Sequence, residues 1–386
     1  MDPTDFATEH RANCRPQPEG YYAFIPPPLP PVLSIDWKLA ALMSEADRAV
    51  AELSGAGRLL PNPHLLIRPY LRREAVLSSL IEDTHAEVDE LLLFEVEPSE
   101  EPPRASIREV ANHVQALEDG LARLADIPIS SRLIREVHAT LLSFVRGGES
   151  SKTPGEFRRS QNWIGRPGSN LKTASFVPPP AHELDRLLSD WENYLHADSD
   201  EPDLIKAALL HYQFEAIHPF LDGNGRIGRL LITLFFCARG TLSQPLLYLS
   251  AFFEKHREDY YRHLLAISTR GAWQDWLTYF LTGVRDTARD ALADTRAITD
   301  LYQKQRALLD ASKRPPTAAA GVLDALFGSP MLSITRHAAR SGESFQNVSK
   351  AVAFWQKHGL IHEITNQRRY RIFTAPEILR LTRPKS

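Results

Sequence analysis

The chain has 386 residues and a formal net charge of −3 at pH 7. Its composition, 43% hydrophobic and 24% charged residues, is typical of soluble globular proteins. This length predicts two or three domains, and its two distant cysteines, Cys14 and Cys237, exclude a disulfide framework or a Cys-based zinc site. The acidic N-terminus has no apolar signal segment, and the longest apolar run, Leu230–Ala238, is about half the ~20 residues of a membrane span. We therefore expect a cytoplasmic protein without a membrane partner.

Hydrophobic periodicity predicts a mainly α fold, an all-helical core with one β-like interruption. Residues 1–35 contain PPPLPP (Pro26–Pro31), which cannot be helical. Apolar residues at helical spacing predict helices over Trp37–Leu53, Arg72–Asp83, Ser106–Leu124, Arg132–Val145, His182–His196, Asp203–Ile217, Asn224–Ala238, Glu258–Ile267 and Trp273–Tyr302. Between residues 147 and 180 this period disappears, and two short runs, Gln161–Gly165 and Ala174–Val177, predict a β-hairpin or flap.

The last 76 residues differ from the rest in charge. Residues 311–386 carry twelve Lys/Arg against four Asp/Glu, a net +8, while the first 310 residues carry −11. Their pattern predicts a small α+β domain of the winged-helix type, with helices at Leu323–Phe327, Ile334–Ala339 and Ser344–His358, then strand-like sequence from 359 and a wing hairpin at 366–373. Residues expected to contact DNA are Gln346, Asn347, Lys350, Arg368, Arg369 and Arg371. Winged helices also dock proteins, so DNA and protein remain alternative partners.

The most informative stretch is HPFLDGNGRIGR, residues 218–229, between two apolar helices. Gly223 and Gly225 allow a ligand to approach the backbone, and the helix that begins near Asn224 directs free N–H groups into the loop, which favours an anion. Arg226 and Arg229 add donors suited to phosphate oxygens. Each part also has an ordinary explanation, namely a helix cap, a simple turn or solvated arginines. Their combination favours a phosphate site.

This stretch resembles the Fic-domain signature, His-Pro-Phe-x-(Asp/Glu)-Gly-Asn-(Gly/Lys)-Arg-x-x-Arg, without a departure. The resemblance implies transfer of AMP from ATP to a Ser, Thr or Tyr hydroxyl of a target protein, and of the protein itself. It implies that His218 is the base, that Phe220 anchors the loop and that Asp222 binds Mg²⁺. It also implies an ATP-binding set from the motif: Asp222, Gly223, Asn224, Gly225, Arg226, Ile227, Gly228 and Arg229. Arg229 would hold the γ-phosphate. The chemistry agrees, since such transfers depend on positioning and charge stabilisation.

Further segments extend the resemblance over most of residues 20–285. GEFRRSQNWIG (155–165) with ASFVPPP (174–180) is similar to the family's flap, and LYLSAFFEKHREDYY (247–261) to its nucleotide-pocket segment. The resemblance adds to the ATP-binding set the flap residues Asn162, Trp163, Ile164 and Gly165 and the adenine-side residues Tyr260 and Tyr261. Core packing is the alternative for both tyrosines. An extended target segment could pair with 161–165 through main-chain hydrogen bonds.

SSLIEDT, residues 78–84, resembles the inhibitory helix of the bacterial Fic type with an extra N-terminal domain. Ser78 and Glu82 stand at i and i+4 and so share a helix face. The resemblance implies that Glu82 contacts Arg229 and prevents productive ATP binding. The chain departs from the pattern at Asp83, where Gly or Asn is usual, and the alternative is an exposed helical glutamate.

These observations predict an N-terminal region at 1–110 with its inhibitory helix at about 72–84, a Fic core at 111–300 with the flap at 155–180 and the motif at 218–229, and a winged helix at 311–386. The leading function is an autoinhibited, Mg²⁺-dependent protein adenylyltransferase. One alternative on this scaffold is a de-AMPylase in which Glu82 orients a water. Another is a DNA-binding regulator whose Fic body senses nucleotide.

Overall fold

A computed structural model describes residues 1–58, 64–97, 104–145, 152–166, 168–365 and 370–383. The first helices are α1 (Trp37–Arg58), α2 (His64–Ile81), α3 (Val88–Val96), α4 (Ala105–Arg123), α5 (Ser131–Leu141), α6 (Leu184–His196), α7 (Asp203–Ile217) and α8 (Asn224–Ala238). They are followed by α9 (Ser250–Lys255), α10 (Arg257–Arg270), α11 (Trp273–Asp310), α12 (Ala319–Gly328), α13 (Ile334–Ser341), α14 (Phe345–Lys357) and α15 (Pro376–Thr382). The strands are β1 (Cys14–Pro16), β2 (Tyr22–Phe24), β3 (Met331–Ser333), β4 (His362–Glu363) and β5 (Ile372–Thr374). No helix in these ranges has the length and apolar character that crossing a bilayer requires.

Helices α7 and α8 form the centre of the body. Almost every residue of α7 is buried, and α8 is buried from Arg226 to Phe236, which is the pattern of helices enclosed on all sides. They pack on each other, while α6, α10 and α11 pack on α7, and α4 and α5 pack on α8. The six residues between α7 and α8 are therefore held at both ends by the core.

Helix α2 lies between the body and the C-terminal elements. It packs on α4 and α9 and also on α12. Arg72 pairs with Glu95 at 2.7 Å and donates to the carbonyl of Gly328 at 2.7 Å, and Arg73 pairs with Asp294 at 3.1 Å. These contacts fix α2 on several sides.

A small N-terminal hairpin supports the flap, and the sequence pattern did not predict it. Strands β1 and β2 pair antiparallel, with Cys14 opposite Phe24, and the Phe24 N–H donates to the Val177 carbonyl at 2.9 Å. A separate small core joins the hairpin to the flap through Tyr21, Ala23, Ala174 and Val177. The strands were missed because each has only three residues and prolines flank them.

The predicted helices agree with the structure most closely at the centre. The bounds of α7 and α8 are those predicted, whereas α11 continues eight residues beyond Tyr302. Helix α2 ends at Ile81, so Glu82 and Asp83, which were assigned to it, lie just beyond its end. Helices α3, α9 and α15 were not predicted.

The predicted domain limits at 110/111 and 300 fall inside α4 and α11. The division into domains stays a prediction. Among the described residues, one hydrophobic core is continuous from Phe6 to Leu379.

The tail contains α12, β3, α13, α14, β4, β5 and α15, and its sheet has the antiparallel order β3-β5-β4. Its three predicted helices lie at the expected positions. Residues 366–369 of the predicted wing, including Arg368 and Arg369, lie outside the described residues. The winged-helix assignment stays a prediction.

Candidate functional site

The loop from His218 to Gly223 is fixed by its own side chains. His218 adopts a left-handed conformation (φ 51°, ψ 60°) just after α7, and Gly223 (φ 78°) directly precedes α8. The Asn224 side chain closes the loop, accepting from the Phe220 N–H and donating to the Phe220 carbonyl, both at 2.8 Å. Phe220 is fully buried and stacks on His138 with 3.7 Å between ring centroids. Asn224 thus uses its side chain within the loop, which leaves backbone groups to meet an anion.

His218 is half-buried and neutral at pH 7. Desolvation and the nearby Arg158 guanidinium lower the pKa of His218 to about 4. Its Nδ1 lies 3.3 Å from the Glu215 carbonyl, which can only accept, so Nδ1 carries the proton. Nε2 of the neutral ring is then unprotonated and can accept a proton.

Asp222 presents an ionised carboxylate beside the start of α8. Burial raises its pKa, but hydrogen bonding from Lys152 and the charge of Arg226 outweigh this and hold the pKa below its ordinary value. Asp222 contacts Lys152 and accepts from the Gly223 N–H at 2.6 Å. Within the described ranges, no group of three or more His, Cys, Asp or Glu side chains could hold a metal ion. A Mg²⁺ ion would thus need Asp222 together with oxygens from a ligand, which is a usual arrangement for this metal.

Arg226 is buried and only loosely paired. Its Nη2 lies 3.5 Å from Asp222 and its Nη1 lies 3.6 Å from Glu109, while Nε and Nη1 make no hydrogen bond to any residue that the structure describes. His113 is fully buried nearby, and neither of its ring nitrogens has a hydrogen-bond partner in the same part of the chain. Burial and the charge of Arg226 lower the pKa of His113. Unpaired buried donors are costly, so this position favours a ligand that supplies acceptors.

Arg229 is held by the residues just before and just beyond the end of α2. Its Nε donates to the Ser78 hydroxyl and its Nη2 to the Ser78 carbonyl and Glu82 Oε1, each at 2.9 Å. Burial would lower the pKa of Arg229, but the Glu82 carboxylate raises it above its ordinary value. The predicted contact between Glu82 and Arg229 is present, although Glu82 lies outside the helix.

Glu82 also lies against the first turn of α8. A Cβ atom added at Gly225 would collide with Glu82 Oε1 and would lie 2.9 Å from Arg229 Nη1. Gly225 is therefore required for the carboxylate to reach the helix N-terminus, where an anion is favoured. Ile227 is buried in the core, and the Gly228 carbonyl lies 3.1 Å from His211 Nδ1, so these two motif residues face inward.

Asp83 explains how the chain turns away after α2. Its φ is 59°, in the left-handed region, which Gly and Asn adopt readily and Asp tolerates. Its carboxylate pairs with Arg257 at 2.7 Å on the surface. The departure from the usual Gly or Asn thus leaves the turn intact.

The flap is braced against the loop. Asn162 donates to the carbonyls of His218 at 3.3 Å and Phe220 at 2.8 Å, so it supports the loop backbone. The predicted hairpin contains a single antiparallel bridge, between Ile164 and Phe176. Trp163 and Ile164 are exposed, and a Cβ at Gly165 would meet Ser169 at 2.9 Å.

The two predicted adenine-side tyrosines have different environments. Tyr260 is fully buried, stacks on Phe253 and lies 2.8 Å from His211 Nε2 through its hydroxyl. Core packing, the alternative considered for it, is what the structure has. Tyr261 is 40% exposed and donates to the Ile81 carbonyl at 3.2 Å, beside Glu82. Only Tyr261 has a side chain open to a ligand.

Sequence reasoning missed four residues that shape the site. Arg158 is buried and donates to the carbonyls of His218 (2.9 Å) and Pro179 (2.5 Å), joining flap to loop. His138 accepts from the Gly155 N–H at 2.9 Å through Nδ1, so its Nε2–H donates to the Asp222 carbonyl at 3.0 Å. Lys152 contacts Asp222, and Glu215 is half-buried with Oε1 unpartnered and a pKa raised by burial to about 8. Arg158 and Lys152 come from the Gly- and Pro-rich flap region, where periodicity gives no signal.

The tail residues expected to meet DNA are partly available. Gln346 and Lys350 are exposed on α14, and Asn347 is half-buried and donates to Glu343 at 3.2 Å. Arg371 instead pairs with Glu363 at 2.6 Å and lies over the Phe373 ring.

Comparisons with known proteins match the region of this site. Residues 40–122 match the Fic/DOC family N-terminal domain and residues 128–236 match the Fic/DOC family domain. The proteins named protein adenylyltransferase Fic from Drosophila grimshawi and Drosophila ananassae are 31% and 33% identical over 147 and 146 residues. These matches cover 38% and 37% of this chain and 26% and 25% of the relatives. The chain thus spans about a quarter of the curated relatives it matches.

Two solved structures share the fold. A Fic family protein from Desulfovibrio desulfuricans superposes with a TM-score of 0.57 and 20% identity, over 90% of this chain and 98% of that one. Fic-1 from C. elegans superposes with a TM-score of 0.52 and 20% identity, over 68% of this chain and 74% of that one.

Proposed function

The chain belongs to the Fic/DOC family, and on that premise we propose that it is an adenylyltransferase that moves AMP from ATP to a hydroxyl of a target protein. The observation that carries the proposal is the loop between α7 and α8. It combines a neutral histidine, an ionised carboxylate, a helix N-terminus and two buried arginines. This arrangement fits a base for a hydroxyl and a cradle for a polyphosphate.

His218 is the proposed general base. Its unprotonated Nε2 takes the proton of the target hydroxyl while that oxygen forms a bond to the α-phosphorus of ATP. The bond from the α-phosphorus to the bridging oxygen breaks, and pyrophosphate leaves with the electron pair. Arg158 and Asn162 keep the His218 backbone in place by donating to its carbonyl. They act as positioning residues.

The charges of the triphosphate are met by the start of α8. Among the described residues Arg226 Nε and Nη1 have no acceptor, and the backbone N–H groups of Asn224 and Gly225 lie at the N-terminus of α8, where an anion is favoured. The Gly223 N–H is already used by Asp222. Asp222 would hold Mg²⁺ together with phosphate oxygens, and the ion would supply positive charge to the leaving pyrophosphate. Lys152 must leave Asp222, or share it, for that ion to bind.

Glu82 is proposed to act as an inhibitor. Its carboxylate occupies the anion-favouring end of α8 and pairs with Arg229, the residue assigned to the γ-phosphate. A triphosphate in a productive pose would compete with it for both groups. The chain is therefore proposed to be self-inhibited until Glu82 moves.

A second activity on the same site is hydrolytic removal of AMP from a modified protein. The observation that favours it is that the Glu82 side chain, 36% exposed to solvent, lies against the first turn of α8 beside Arg229, where its carboxylate can hold a water. Glu82 would orient the attacking water in that reaction.

Position-specific labels test the proposal. The Glu82→Gly chain is incubated with Mg²⁺ and ATP labelled at the α-phosphate or, separately, at the γ-phosphate, and the label on the protein is measured. Adenylyl transfer puts only the α label on protein, and the matched His218→Ala/Glu82→Gly chain gives none. Incorporation of the γ label would instead identify a phosphotransferase, and no label on the chain or on candidate targets would reject transfer.

A further inference from the structure

A cavity of about 400 Å³ lies between helices α2, α9 and α11, away from the loop at 218–223. Its apolar walls include Leu77, Leu246 and Phe252. It is large enough for a small organic molecule and is not part of the site described above.

Two buried polar side chains in the cavity wall each have an atom without a hydrogen-bond partner among the described residues. Glu74 is 2% exposed, and although Oε1 accepts from the Ser250 hydroxyl at 2.5 Å, Oε2 makes no hydrogen bond. Tyr248 is 6% exposed and its hydroxyl makes none. Leaving such groups unpaired in the interior is unfavourable, so the two positions favour a ligand that supplies the missing partner. Both line the same cavity, and the Glu74 charge influences the pKa of Tyr248, which burial raises.

The chemistry of these two groups selects a donor. A carboxylate oxygen accepts only, and a phenol oxygen can also accept, whereas a primary ammonium group has three donors and no acceptor. The apolar walls of the cavity suit a short alkyl chain attached to that ammonium group. We propose that this cavity binds a small primary alkylamine, with its ammonium group against Glu74 and Tyr248 and its carbon chain against Leu77 and Phe252.

The other charged groups of the cavity do not oppose a cation. Arg73 is neutralised by Asp294 at 3.1 Å, and Asp286 pairs with Arg285 at 2.7 Å. The remaining groups are the exposed Lys255 and Asp290, which have opposite charges, and the half-buried His256. Glu74 is therefore the buried acid of the cavity that a bound ammonium group would pair with, and because burial raises its pKa to about 7, it is mainly ionised only above that pH.

The cavity is linked to the inhibitory contact through α2, a link that rests on the proposed function. Glu74 stands one turn before Ser78, which holds Arg229, and Glu82 follows one turn later. The cavity is present in the arrangement in which Glu82 pairs with Arg229. An amine that binds this arrangement more tightly than one without the Glu82–Arg229 pair would strengthen inhibition, and the transfer rates of the wild-type and Glu82→Gly chains measure that difference.

Calorimetry with the full chain, without nucleotide, tests the binding site directly. n-Butylamine is titrated at pH 8, above the pKa of Glu74, with n-butanol as the ligand that has the same chain length but no ammonium group. We expect butylamine to bind and butanol not to bind. Glu74→Gln and Tyr248→Phe should each weaken butylamine binding at least tenfold, while Glu254→Gln, a charge change on α9 outside the cavity, should not alter it. No binding to the wild-type chain, or equal binding to all four chains, would overturn the proposal.

A second measurement separates this site from the proposed function. If transfer occurs, butylamine should lower the transfer rate of the wild-type chain but not of the Glu82→Gly chain. Binding without any transferase activity would retain the amine site and reject the proposed function. Transferase activity without amine binding would do the reverse, and amine binding that leaves the wild-type transfer rate unchanged would overturn the link to α2.

Discussion

Replacing Glu82 with glycine should release the proposed inhibition, and the structure sets the size of the effect. The change removes one charge-assisted hydrogen bond of 2.9 Å to Arg229, whose side chain is 1% exposed. A hydrogen bond to a charged group contributes about 1.5–3 kcal/mol. The Glu82 side chain is 36% exposed, so solvent screening favours the lower part of that range. Since about 1.4 kcal/mol is a factor of ten, we expect roughly tenfold to a hundredfold faster AMP transfer, nearer tenfold.

Arg229 should stay in position in this variant because two of its hydrogen bonds go to Ser78. The guanidinium is then free on the side where Glu82 was, and the first turn of α8 is open to phosphate. Total ATP affinity should therefore change by a smaller factor than the transfer rate.

The assay is the initial rate of AMP incorporation from α-labelled ATP, measured for the chain itself and for candidate targets. Asp83→Asn is the matched control. It removes the neighbouring carboxylate, which pairs with Arg257 on the surface, and asparagine tolerates the left-handed turn at this position. Ser78→Ala should have a weaker effect than Glu82→Gly. A rate for Glu82→Gly within twofold of the wild-type rate would refute the argument, as would equal activation by Asp83→Asn.

Four further predictions follow from the site and the cavity. In the Glu82→Gly background, His218→Ala should abolish transfer but not ATP binding. With His218 present, the transfer rate should not fall as pH is lowered through about 6.5, where an exposed histidine titrates, because the pKa of His218 is about 4. Asp222→Ala should abolish transfer and its Mg²⁺ dependence, and full activity of this variant in a Mg²⁺ titration would contradict the assignment. Burial raises the pKa of Glu74 from 4.5 to about 7, so between these pH values the folded state binds more protons than the unfolded state. The free energy of unfolding should therefore fall by up to about 3 kcal/mol as pH rises through this interval. Urea unfolding at pH 5 and 8 should show that Glu74→Gln removes this fall. If the tail binds DNA, the affinity of the full chain for a short duplex should fall steeply with salt and weaken with Lys350→Glu, and no binding at low salt would reject DNA.

The parts of the fold that the sequence predicted are those with strong periodic signals. The bounds of α7 and α8 follow from apolar sequence that ends before Pro219 and begins again after Gly223. The contact of Glu82 with Arg229 was predicted from the resemblance to the Fic family and not from periodicity. The end of α2 was misplaced because the left-handed turn at Asp83 gives no clear signal in its composition. Arg158 and His138 act through backbone carbonyls distant in sequence, and such partners become visible only in three dimensions.

Helix α2 takes part in two packing surfaces, and this limits how the chain can be recombined. Its inner side carries Ser78 and leads to Glu82, while Arg72 donates to the Gly328 carbonyl in the C-terminal part. A chimera that joins a foreign tail at residue 311 would remove the Gly328 carbonyl, leaving Arg72 with Glu95 alone, and would change the surface against which α2 now packs on α12. Exchange of the tail between relatives should therefore carry a matching outer side of α2, and with it the segment that ends in Glu82.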